Sequence, residues 1–389
     1  MKINTSLVPV CNDHRLNIVK HKRAISIALL FVIGAIWTAC GVAYAADNTS
    51  LSATTAVKWH PGHYYTLMGD KNNPKYMAQV YRELKKTPLL RGLQIRYDWA
   101  ELESAENMYD FTSIEQRLAE LAAQKKRLII LLQIKTFNPS TAAIPDYLKR
   151  EDSTFPFSNL GKKDIRGYNL KLWNPVVHDR LVALISELGK RFNSHPYFEG
   201  IGLPETAIGQ PLVEIPKNQL DNFYNSLLSI NQQLRKHFPN TMTYQFTNYP
   251  RPMLKSFVNK LREMGTGLGG PDTFIEDPGL LTRESKNSAK GVYHYYPELS
   301  GIVPLTPSVM QTNYATTRHD KAGKAPSRAP TVAELFSFAR DRLKANYIFW
   351  TRAPGYFPNV LAMLNGLQTG DPAGGLDSTC PKAYPACID

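Results

Sequence analysis

From residue 60 onward, short apolar runs alternate with segments whose apolar residues recur at helical spacing, and this alternation limits the fold more than any other feature. "HYYTLM" (63–68) precedes "NPKYMAQVYRELKK" (73–86), where Met77, Val80, Tyr81 and Leu84 share a helical face. "LLRGLQIRYDW" (89–99) precedes the amphipathic "SIEQRLAELAAQKK" (113–126). "RLIILLQIKTF" (127–137) is apolar almost throughout, as a strand covered on both faces of a parallel sheet must be. Five more strand candidates follow at 197–203, 241–249, 266–272, 303–314 and 345–352, with helical stretches at 174–192, 216–238, 251–264, 331–344 and 359–368.

Eight strands separated by helices imply parallel pairing with right-handed crossovers, and eight strands close a (β/α)8 TIM barrel. The rival is a doubly wound open sheet, but no glycine-rich phosphate loop follows the first strand. Length alone, 389 residues, would also allow two or three domains. No linker or internal repeat divides the chain. The expectation is therefore one barrel domain over 58–370 with a C-terminal tail, 371–389. In the tail Cys380 and Cys387 are placed to form a disulfide that staples it.

Residues 1–46 read as a leader. His21, Lys22 and Arg23 precede the apolar run "AISIALLFVIGAIWTAC", and Ala43-Tyr44-Ala45 is a small-residue cleavage site. Two outcomes stay open. A cleaved signal peptide would leave an exported chain, periplasmic or secreted, beginning near Ala46. An uncleaved run would be a membrane anchor. The leader holds five Lys/Arg and one Asp, so its removal lowers the formal charge of +13 by four, to +9. A basic exported protein suits acidic surfaces or polymers. The basic residues are scattered and carry no nucleic-acid motif, so no nucleic-acid partner is expected. Neither C-x-x-C nor H-E-x-x-H occurs, so no metal or other cofactor is expected.

In a barrel, functional side chains stand at the carboxyl ends of strands. The fourth apolar run, "GIGLPE", stops at Pro204 and is followed by Glu205. The second runs into "RYDWAELESAENMYDF" (96–111). That stretch resembles the R-x-x-W-x-x-L-E-P-x-x-G-x-Y-D-F segment of the clan of (β/α)8 retaining glycoside hydrolases, especially its β-galactosidase-like and cellulase-like branches. Arg96, Trp99, Leu102, Glu103, Tyr109, Asp110 and Phe111 match; Ser104 and Asn107 replace the proline and the glycine. Residues 172–205 resemble the family's third helix and fourth strand. The resemblance implies a carbohydrate partner, a polysaccharide or oligosaccharide, and two carboxylates acting across the scissile bond. It places the acid/base on Glu205, sets Arg96 low in the mouth against a carboxylate, and makes Trp350 a floor for a sugar ring. Arg96 as an internal ion pair and Trp350 as plain core are the structural alternatives.

The chain departs from the pattern at two points. Pro204 stands where the family has asparagine. Gln311, in "PSVMQTNY", stands where the family's strand-seven nucleophile is expected, and an amide cannot attack. Asp272, closing "GGPD" after strand six, is the first candidate for a second carboxylate, with Glu276 and Asp277 beyond it; Glu298 is another. A pair from strands four and six could leave room for a water and make the enzyme inverting. Asn248, Tyr249 and Gln311 are candidate sugar contacts. The alternative to a hydrolase is a non-catalytic glycan-binding or envelope-assembly protein that retains the barrel.

Overall fold

The computed structural model describes residues 56–142, 144–149, 152–159, 161–281, 289–318 and 328–389. The leader, with its choice between signal peptide and anchor, lies outside the described residues. Eight parallel strands close a barrel. They are β1 (Gly62–Leu67), β2 (Leu90–Asp98), β3 (Arg127–Gln133), β4 (Phe198–Leu203), β5 (Met242–Phe246), β6 (Gly267–Gly270), β7 (Leu305–Val309) and β8 (Tyr347–Thr351). Each is followed by a helix: α1 (Pro74–Lys86), α2 (Thr112–Ala122), α3 (Pro175–Phe192), α4 (Lys217–His237), α5 (Arg251–Met264), α6 (Tyr295–Leu299), α7 (Val332–Ser337) and α8 (Phe357–Gly366).

Local chemistry sets the helix ends. Asn73 and Asn174, each before a proline, accept from the first free amides of α1 and α3. Gly265, at φ 71°, ends α5 in the left-handed conformation. Two stretches differ from the sequence reading. The seventh strand is short, and Gln311–Ala315 turns into a helix because Asn313 accepts from the Met310 amide and caps it. The 331–344 helix passes into a wider π turn at Phe338–Arg342.

The lumen is filled by aromatic rings. Tyr64, Tyr244, Phe246, Tyr347 and Phe349 pack with Ile129, Leu131 and Met242. Glycines on the strands flanking β5 make room for this. A Cβ on Gly202 would lie 2.2 Å from the Tyr244 ring, and one on Gly269 would lie 2.6 Å from the ring of Phe246. Above this layer Thr66 donates to Gln94 (2.7 Å), and Gln94 donates to the Tyr244 hydroxyl (2.7 Å).

The floor is closed by the two ends of the described chain. Val57–Lys58 pairs in parallel with Cys387–Ile388. The Cys380–Cys387 disulfide, S–S 2.05 Å, closes that segment. Trp59 packs edge-on against Tyr347 and Tyr384 and donates to the Ser378 carbonyl. Beside it, the fully buried Glu199 accepts from the His60 amide (2.7 Å) and the Tyr347 hydroxyl (2.7 Å), with His60 Nδ1 at 2.8 Å and Arg127 at 3.8 Å. Burial pushes the Glu199 carboxyl up, but the His60 contacts, Arg127 and Tyr347 outweigh it and hold the group below the usual glutamate range.

The β3–α3 connection is a long excursion. It carries an outer antiparallel sheet in which Thr154–Ser158 lies between Gly167–Leu170 and Gln210–Pro211 from the β4 loop.

Two outcomes test this packing. Gly202→Ala overpacks the lumen and lowers stability by about 1–3 kcal/mol in urea unfolding. Gly366→Ala, with nothing within 4 Å of the added methyl, does not. Because Glu199 is held low, its contribution is full above the ordinary value of 4.5 and is lost as pH falls through the lower folded-state value. Glu199→Gln therefore costs about 3–5 kcal/mol near neutrality and flattens the acid limb of Tm against pH.

Candidate active site

The carboxyl ends of β2 to β7 converge on one cluster of charge. On β2 the inward series Gln94, Arg96, Asp98 rises from the aromatic layer. Burial lowers the Arg96 guanidinium most, and the carboxyl groups of Glu205, Asp272 and Asp98 oppose it, Glu205 most strongly. Its Nε is buried with no hydrogen-bond partner among the described residues. One Nη lies 3.7 Å from the sulfur of Met310.

Glu205 follows β4 and Pro204. Its Oε1 accepts from the Lys135 ammonium at 2.7 Å, and its Oε2 accepts from Asn248 Nδ2 at 3.0 Å. Lys135 stands two residues past the end of β3 and is 4% exposed. It also donates to the Ala207 carbonyl (2.6 Å) and lies 4.6 Å from the ring centres of both Phe137 and Phe157. Asn248, beyond β5, is fixed in turn. Its Oδ1 accepts from the amides of Ala207 (3.0 Å) and Tyr249 (2.9 Å). Glu205 is thus an ion-paired carboxylate held in one orientation by a buried cation and an anchored amide.

Asp272 follows β6 at the turn after Gly269, Gly270 and Pro271. Its Oδ1 accepts from Asn313 Nδ2 at 3.3 Å, and the buried Asn313 also accepts from the Thr273 and Met310 amides. Burial of the carboxyl pushes Asp272 up most, and the negative charge of Glu205 pushes it further; Asn313 and Arg96 oppose. The group ends at about 7. Two carboxyl groups at the mouth therefore sense each other while standing in opposite surroundings, one paired with a cation, the other half-protonated near neutrality.

Other residues singled out from the sequence stand elsewhere. Trp350 is not a sugar platform: β8 turns Tyr347 and Phe349 into the lumen, so Trp350 faces the helices. It is 0% exposed, and its Nε1 donates to His63 Nδ1 at 3.0 Å. Burial pushes His63 down to about 4, which keeps that ring neutral and able to accept. Gln311 is the exposed first residue of the short helix after β7. The position that faces the cluster is Met310, whose sulfur meets Arg96, Ser308 and Thr351. Tyr249 is half-buried, with its hydroxyl against the turn at Gly279. Glu298 lies on α6 outside the barrel, 2.9 Å from His294. Glu103, in the stretch that carries the resemblance, is wholly buried; it accepts from Trp99 Nε1 (2.8 Å) and pairs with Arg180 of α3.

Lys135, Asn313 and Met310 are the residues that sequence reasoning missed. The one available signal was a charged residue, Lys135, at the end of the largely apolar run "RLIILLQIKTF". Among the described residues no group of three His, Cys, Asp or Glu is placed to hold a metal.

The ion pair can be tested without any assay of activity. Lys135→Met strands the Glu205 charge and lowers stability by about 3–5 kcal/mol. Lys135→Met with Glu205→Gln costs less than the sum of the single changes, with a coupling on the order of 0.5–3 kcal/mol in urea unfolding.

No protein-family model matches this sequence, and no curated protein does. Solved structures do match. The catalytic domain of the β-amylase of Paenibacillus polymyxa superposes with TM-score 0.51 at 10% identity, over 83% of this chain and 97% of that one. The β-galactosidase of the psychrophilic Marinomonas ef1 gives 0.54 at 9% identity over 82% of this chain. The cold-adapted β-galactosidase of Rahnella sp. R3 gives 0.51 at 10% over 83%. The chain spans 61% and 58% of the two galactosidases' length. At such identities the likeness is one of architecture: this chain has the eight-stranded barrel fold of these glycoside hydrolases.

Proposed function

We propose that the chain is a glycoside hydrolase that cleaves a polysaccharide or oligosaccharide with Asp272 and Glu205. The observation that carries this reading is the opposed environment of the two carboxyl groups. Acid and base roles go to titratable groups whose surroundings drive their protonation apart. Asp272, pushed up to about 7, keeps a proton available for the leaving oxygen at neutral pH. Glu205, paired with Lys135 and Asn248, supplies the negative charge that attacks the anomeric carbon or activates a water. This division is the reverse of the one the resemblance implies, where Glu205 is the proton donor; the charges around each group favour it. Arg96, between the two, limits their repulsion. Met310, just past β7, is no carboxylate, so the second carboxylate of this reading comes from the end of β6.

The leader and the Cys380–Cys387 pair support an exported chain, periplasmic or secreted, since disulfides persist in oxidising compartments. The net positive charge supports acidic glycans among the substrates.

Leaving-group chemistry separates the roles. Wild type, Asp272→Asn and Glu205→Gln are assayed on polysaccharides and on aryl glycosides whose phenol leaves without protonation. Asp272→Asn is expected to lose about 10²–10⁴ in rate on unactivated glycans and to keep most of its rate on activated ones. Glu205→Gln is expected to fail on both. Rescue of Glu205→Gln instead would restore the division that the resemblance implies. The wild-type rate should fall as pH rises through about 7, where Asp272 gives up its proton. No turnover on any substrate, with glycan still bound, would leave a barrel that binds without cleaving.

A further inference from the structure

A second concavity lies on the same face of the barrel, in the β3–α3 excursion. Its volume is about 440 Å³, inside the ~300–1,000 Å³ range of small-ligand pockets. Pro139, Ser140, Thr141, Ser153, Thr154 and the half-buried Tyr168 are among its lining residues. The lining combines an aromatic ring and a proline with a rim of hydroxyl groups. A pyranose has the matching form, with C–H faces that lie on a ring and hydroxyls that bond at the edge.

The charges on the described lining bear on which sugars suit it. Lys149 and Asp152 also line it, one of each sign. Lys149 lies 2.5 Å from Asp146, and Asp152 is paired with Lys171. Among the described lining residues the two charges are of opposite sign and each has a partner, which suits an uncharged ring.

The cavity shares its framework with the charged cluster. Thr136, next to Lys135 in the chain, donates to the Tyr168 carbonyl at 2.9 Å and accepts from the Tyr168 amide at 3.2 Å. The next residue, Asn169, bridges to Lys135 and donates to the Ile208 carbonyl at 2.8 Å, in the loop that begins at Glu205. The Tyr168 wall and Glu205 therefore stand on the same two strand ends, linked through Lys135.

We propose that this cavity is a second sugar-binding site, which takes an uncharged pyranose unit of the same glycan chain that crosses the mouth between Glu205 and Asp272. The part about a shared chain rests on the hydrolase reading; binding in the cavity does not. Tyr168 supplies the stacking surface, and Ser140 and Thr141 bond the ring's hydroxyls. A chain that reaches both places binds more tightly than one that reaches only the mouth.

The test uses the full chain carrying Asp272→Asn and uncharged oligosaccharides of two to six units from the cello-, xylo-, manno- and chito- series. Binding is followed by saturation-transfer NMR and calorimetry. Affinity is expected to rise with length, and Tyr168→Ala to remove about tenfold from the longest ligand bound, the loss of one ring-stacking contact. Thr141→Trp, which fills the cavity and spares Tyr168, should give the same loss, so a folding fault in one variant does not decide the matter. Equal affinity in both variants, or no binding of any member by the Asp272→Asn chain, would overturn the second site. Wild-type turnover of the same oligosaccharides is read separately. Tyr168-dependent binding without turnover would reject the hydrolase and keep the site; turnover with Tyr168-independent binding would do the reverse.

Discussion

Two carboxyl groups stand just past two strand ends of one barrel, close enough for the charge of Glu205 to act on Asp272, and the surrounding side chains answer that repulsion. Arg96 lies below both, and Lys135 binds one of them directly at 2.7 Å. The cations are not shared equally. Among the described residues Glu205 receives Lys135 and Asn248, while Asp272 receives the Asn313 amide and the weaker field of Arg96. The asymmetry leaves Asp272 pushed up to about 7 by its burial and by the charge of Glu205. Two carboxyl groups at one end of the barrel thus stand in unlike surroundings.

Such a division holds only if the strand ends keep still. The aromatic lumen provides this, because Tyr244 and Phe246 fill space that Gly202 and Gly269 leave open, and a packed lumen does not shear. Below it, the strand at 387–388 pairs with the strand at 57–58, and Glu199 binds His60, Tyr347 and Arg127. The face opposite the charged cluster thus serves stability, and the cluster stands on a rigid base. The excursion joins the two functions. Phe157 of its sheet covers Lys135, and Tyr168 lines the second cavity.

The barrel was legible because parallel strands buried on both faces leave long apolar runs, and eight of these alternate with helical patterns. Glu205 and Asp272 were legible as carboxylates just past strand ends, and Arg96 as a cation inside a strand. Trp350 was misread for the same reason the strands were easy to find: when both faces are apolar, the sequence does not say which face meets the lumen. Gln311 shows how a one-residue error in register exchanges the residue at a site, since Met310 is the side chain that meets Arg96. Lys135 was hidden because its partners, Glu205 and Phe157, come from other parts of the chain, and only folding brings them together.

Asp272 holds its proton near neutrality because it is buried and because Glu205 adds negative charge beside it. Carboxyl ¹³C NMR titration of Asp272 in the wild type and in Glu205→Gln tests it directly. The expected midpoint is about 7 in the wild type and clearly lower when the opposing charge is removed. A midpoint near the ordinary aspartate value of about 4 in the wild type, or one that does not move in Glu205→Gln, would contradict it.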